Sequence, residues 1–140
     1  MSFAKDFPTN IADAFIKLLM SDQLVSAYPW TRWDDDLPAK MPRGYINMEV
    51  SSALVEAGGP NTVRVEIVLE GKPLRQKLSA VMGNLFGLVT DPALHLKLNG
   101  YANGTVKFYK EAEDLSIRQT IEGDIRIRRV QFSIQAMALV

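Results

Sequence analysis

The chain has 140 residues, 47% of them hydrophobic and 23% charged, the proportions of one ordinary globular domain over 1–140 that needs no disulfide or metal to hold it. Lysine plus arginine equal aspartate plus glutamate at 16 each, so net charge provides no drive towards nucleic acid or an anionic membrane. The absence of cysteine excludes disulfides, zinc–thiolate sites and thiol nucleophiles. The first residues lack the cationic and apolar regions of a signal peptide, and no apolar run approaches the ~20 residues of a membrane span. A soluble protein made in the cytoplasm is expected.

In chain order, Thr9 or Asn10 can cap a first helix on which Ile11, Phe15, Leu18 and Leu19 form one apolar stripe, with Asp13 in its first turn. From Ser26 to Gly44 no period is visible. Pro29, Pro38 and Pro42 punctuate this stretch, Trp30 and Trp33 flank Arg32, and Asp34, Asp35 and Asp36 follow. It reads as an ordered loop or arm at about 26–44, because two tryptophans need large apolar contacts.

Ile46, Met48 and Val50 alternate with polar residues. After the turn residues Gly58-Gly59-Pro60-Asn61, so do Val63, Val65, Ile67 and Leu69. The pair predicts an antiparallel hairpin with one buried face. Pro73 opens an amphipathic helix from Leu74 to Val89, stopped by Asp91-Pro92. Leu94, Leu96 and Leu98 alternate and predict a short strand that turns His95 to solvent. Further strands follow at Val106–Phe108 and Leu115–Ile121, with a hairpin turn at Glu122-Gly123-Asp124. In the last strand Ile125 and Ile127 are apolar at odd positions, but Val130, Phe132, Ile134 and Ala136 at even ones. A β-bulge at Arg128-Arg129 would absorb that phase change. The expected fold is α+β: a mostly antiparallel sheet with two helices on one face, in the order α-β-β-α-β-β-β(-β).

Little in the sequence points to catalysis. His95 is the only histidine and has no triad pattern around it. Asp34-Asp35-Asp36 could meet a divalent cation, but consecutive side chains rarely converge on one centre and the glycine of a calcium loop is missing. Glu70-Gly71-Lys72, with Glu49 or Glu56 upstream, has the spacing of a metal-dependent nuclease, but Pro73 follows at once. No phosphate-binding glycine loop occurs. Arg126, Arg128 and Arg129, near Lys107, Tyr109 and Lys110, could form a basic strand surface for nucleic acid or a solvated hairpin. No catalytic residue, cofactor or metal is expected.

The helix Ile11–Met20, the loop through Trp30 and Trp33, the strands Tyr45–Leu54 and Thr62–Glu70, the helix Leu74–Val89 and the closing strands around Leu115–Arg118 and Asp124–Ile134 lie in a telling order. It resembles the tail-terminator family of long-tailed bacteriophages, over nearly the whole chain, in architecture rather than in any single motif. The resemblance implies a virion structural protein, not an enzyme: a ring subunit, commonly hexameric, that ends tail-tube growth and joins tail to head. Its partners would be copies of itself and the neighbouring tube and head–tail connector proteins, with DNA passing but not specifically bound. The alternatives are a tail-tube subunit or a small nucleic-acid or ligand-binding module. Residues expected at an assembly interface are Trp30, Arg32, Trp33, Asp34, Asp35, Asp36, Arg126, Arg128 and Arg129.

Overall fold

The computed structural model describes residues 6–32, 42–50, 60–72 and 78–139. Helix α1 spans Phe7–Met20. It starts earlier than Thr9 or Asn10 would allow as caps, because Pro8 suits a first turn whose amides have no helical partner. Asp13 therefore lies in the second turn, 3.6 Å from Arg32. The expected stripe of Ile11, Phe15, Leu18 and Leu19 is buried, as is Phe7.

After a 3-10 turn at Val25–Ala27, β1 (Trp30–Arg32) pairs in parallel with β2 (Arg43–Val50). The stretch expected to be irregular thus holds a strand, which at three residues is too short to show a period. Residues 33–41 lie outside the described residues, as do 51–59 and 73–77. β2 pairs antiparallel with β3 (Pro60–Gly71), so Pro60 and Asn61, expected in a turn, belong to the strand. Helix α2 spans Leu78–Val89, and the helix start expected at Pro73 and Leu74 falls outside the described residues.

Leu94–Tyr101 is a helix, α3, not a strand. The Asp91 carboxylate accepts the Ala93 amide at 2.9 Å and the Lys97 ammonium at 2.6 Å, which anchors the first turn. Leu94 and Leu98, one helical turn apart, are buried while Leu96 is 63% exposed. Asn99 then ties α3 to β4 (Val106–Phe108), donating to the Phe108 carbonyl at 3.1 Å and accepting its amide at 2.6 Å.

β5 (Glu113–Glu122) and β6 (Ile125–Ala138) close the fold. The sheet runs β1-β2-β3-β6, with β4 and β5 sharing the far edge of β6. All its pairings but β1–β2 are antiparallel. The three helices lie on one face, where Ile46, Val63, Val65, Ile67, Val130 and Phe132 meet Phe15, Leu78, Leu85 and Leu94 in one core. Phe15 stands edge-on to Phe108 with centroids 6.1 Å apart and lies 5.7 Å from Phe132. The architecture is α+β, with one helix and one short strand more than the order read from the sequence.

The expected bulge at Arg128-Arg129 is absent. β3 and β6 stay in register without a break from Pro60 opposite Met137 to Gly71 opposite Arg126. Ile127 instead joins Tyr45 and Val68 in a small buried cluster on the face away from the helices, with Ile125 packed against it. The apolar residues change parity because β6 changes the face it buries. The irregularity in this hairpin lies on β5, between Glu113 and Ser116, where Asp114 adopts a φ of 55°.

Candidate assembly surface

Trp30, read as an interface candidate, is taken up by the chain's own core at 7% exposure. It stacks on Tyr28 with centroids 6.1 Å apart, and its indole N–H donates to the Val25 carbonyl at 2.8 Å. Gly44 makes room for it. A Cβ at that position would lie 2.7 Å from Cζ3 of the Trp30 ring, so only glycine fits beneath the indole. The Tyr28 hydroxyl is buried and has no hydrogen-bond partner among the described residues, and burial pushes its phenol up to about 12. Arg32 pairs with Asp13. Trp33, Asp34, Asp35 and Asp36 lie outside the described residues.

The three arginines are on β6 but do not form one patch. Strand alternation puts Arg126 and Arg128 on the helix-bearing face and Arg129 on the other. Arg128 donates to Gln119 Oε1 at 2.7 Å, and Arg129 reaches Thr120 Oγ1 at 3.4 Å. Each arginine is thereby held against β5, on opposite sides of a two-stranded ribbon.

That ribbon is the part of the surface that composition alone does not reveal. Gly123, with a φ of 62°, takes the first central position of the two-residue turn joining Glu122 to Ile125, where glycine is favoured. Every residue of β5 but Leu115 is exposed. Ile117 and Ile121 are 50% and 57% exposed, both on the helix-bearing side, beyond the reach of the helices. An isoleucine at alternate positions of a strand is ordinarily a core signal. Here it sits in water, and no period in the sequence tells the two cases apart.

The residues weighed for catalysis are dispersed. Glu70 is buried, with its carboxylate bound by the Arg43 guanidinium and 3.5 Å from the Tyr45 hydroxyl. Burial, followed by the Glu70 charge, pushes the Tyr45 phenol up. Lys72 turns to Asp124 at 3.1 Å. Glu49 pairs with Arg64, six positions along β3 from Glu70, or roughly 20 Å at strand spacing. Glu56 lies outside the described residues. His95 is on α3, half-buried, with Nδ1 unpartnered among the described residues, at the edge of a depression of about 260 Å³ shared with Pro92, Lys110, Glu111 and Glu113. It does not face solvent from a strand. Among the described residues no three histidine, aspartate or glutamate side chains gather to hold a metal, and no helix is long and apolar enough to cross a membrane. Comparison with known protein families and with curated proteins finds nothing similar to the chain.

Proposed function

We propose that the protein is a structural subunit of a phage tail or neck, assembling into a ring that ends the tail tube and joins tail to head. The observation that carries the assembly part of this reading is the β5–β6 ribbon with its exposed Ile117 and Ile121. Fully burying an exposed isoleucine side chain is worth roughly 1.5–3 kcal/mol, and a second chain laid on this surface would recover the share still in water. Arg126 and Arg128 on the same face supply positive charge for an acidic neighbour. The tail assignment rests on layout: α1, the β2–β3 pair, α2 against the sheet and the β5–β6 hairpin follow the tail-terminator order. Strand β1 and helix α3 are additions to it. A tail-tube subunit shares the same logic of repeated copies.

Light scattering coupled to size-exclusion chromatography, followed by electron microscopy, tests the proposal on the full chain. Closed rings with a mass at a fixed multiple of 15.6 kDa are expected. Salt-sensitive DNA binding by a monomer, lost on replacing Arg126, Arg128 and Arg129, would replace this reading with that of a binding module.

A further inference from the structure

Among the described residues β5 has one neighbour, β6, so its outer edge is an unpaired row of backbone donors and acceptors. The turn fixes which residues form that row. Glu122 and Ile125 close a two-residue hairpin and therefore exchange hydrogen bonds with each other. With the register unbroken from Glu122 back to Ser116, the even residues of β5 face β6. The amides and carbonyls of Ile117, Gln119 and Ile121 are turned outward.

From this edge we infer that a second copy of the chain docks on β5, antiparallel, about a two-fold axis through Gln119. Ile117 of each copy then stands opposite Ile121 of the other, on the face where both are half exposed. On the opposite face Arg118 stands across from Thr120 and diagonal to Glu122, within reach of a long side chain. Neighbouring registers do worse. Centring on Arg118 sets guanidinium against guanidinium, and centring on Ile117 puts Ile121 opposite Glu113. Centring on Thr120 pairs Arg118 with Glu122 but leaves Ile117 opposite Gly123. The turn at one end and the irregularity between Glu113 and Ser116 at the other confine the pairing to Ser116–Glu122. A two-fold contact consumes the β5 edge of both copies, so this contact closes at two. It draws on the same two isoleucines as the assembly reading but joins copies only in pairs, and it does not depend on the tail reading.

The test uses the full chain, which has no native cysteine to interfere with labelling. Sedimentation velocity across a wide concentration range should show a species of twice 15.6 kDa. Ile117→Lys should abolish it while leaving the circular dichroism spectrum unchanged, since that side chain contributes little to the monomer. Arg118→Glu should weaken it by roughly tenfold, and the exchange of both charges, Arg118→Glu with Glu122→Arg, should restore it. Spin labels on Gln119→Cys should couple strongly between copies. Labels on Glu113→Cys should lie roughly 40 Å apart, six residues from the axis on either side. A monomer at every concentration, larger assemblies indifferent to Ile117→Lys, or label coupling that does not peak at position 119 would each overturn the inference. Rings that persist in Ile117→Lys would leave the assembly proposal standing without it.

Discussion

Between Val130 and Ala138, β6 is a core strand, with β3 on one edge, β4 and the start of β5 on the other, and helices over its even side chains. Between Ile125 and Arg129 the same strand forms half of a ribbon, its odd side chains packed on Tyr45 and Val68 and its partner β5 in solvent. Backbone pairing with β3 is continuous through both halves. What changes is the material laid over the strand. Burial here is therefore a property of the covering layer and not of the strand's own sequence, and isoleucine carries opposite meanings in the two halves of one hairpin.

The largest expected effect lies across that divide. Phe132→Ala, which empties a fully buried aromatic site against Phe15, should cost about 3–5 kcal/mol in urea unfolding. Ile121→Ala on the ribbon should stay within about 0.5 kcal/mol. Comparable losses would erase the distinction between the halves. Next comes the small cluster on the open face. Removing one partner of a buried ion pair costs about 3–5 kcal/mol; with the Arg43 side chain 26% exposed, Glu70→Ala should cost about 2–3 kcal/mol. A loss no larger than that of Ile121→Ala would mean the second face has no buried unit.

Asp22 offers a smaller and pH-dependent contrast on the helical side. Its carboxylate accepts the Leu24 and Val25 amides at 2.9 and 3.0 Å and the Asn84 side chain at 3.1 Å, joining the 3-10 turn to α2. Burial raises its pKa, but the Val25, Asn84 and Leu24 hydrogen bonds outweigh that and hold it below the usual carboxylate range. Asp22→Ala should cost about 1 kcal/mol at neutral pH. Because the folded pKa is depressed, this contribution is present above the unfolded value of about 4 and fades as pH falls through the folded one, so mutant and wild type should converge in acid. The smallest effect is at Tyr28. Removing a buried hydroxyl that has no partner among the described residues, by Tyr28→Phe, should leave neutral-pH stability unchanged or up to about 1 kcal/mol higher. With the folded phenol at about 12 and the unfolded one near 10, wild type alone should lose this group's share of stability as pH rises between those values. A mutant with the same alkaline profile as wild type would show that Tyr28 ionises freely.

The elements legible in advance were those whose pattern and environment agree over several turns or pairs: α1, β3, the body of α2 and the even face of β6. Leu94–Leu98 misleads because alternate leucines satisfy a strand template, while a helix needs only Leu94 and Leu98 and leaves Leu96 exposed. The better signal was Asp91-Pro92 just before it, an acidic side chain able to anchor a first turn and a proline suited to enter it. The apparent fault in β6 was read as an inserted residue because only one buried face was assumed. Of the interface candidates, Arg126, Arg128 and Arg129 lie on the ribbon, though on both of its sides, whereas Arg32 sits on β1 beside Asp13 and Trp30 is held by Gly44 and Tyr28. Nothing in the local spacing distinguishes an indole packed on its own chain from one waiting for another.

One strand also sets the order in which this molecule can come into being. Among the described residues β6 alone touches all of β3, β4 and β5, and it is the last of them to be made. As the chain leaves the ribosome, β1 to β3 emerge first, but their outer edge and the undersides of the helices have no partner until residues 125–138 follow. Vectorial synthesis therefore exposes a half-built sheet for the time it takes to translate residues 72–124 and then β6 itself. The stretch from Gly71 to Arg126, paired directly in the native sheet, must be closed as one long loop. A holding chaperone that binds extended apolar strands would meet its best target in that interval, before the final strand arrives.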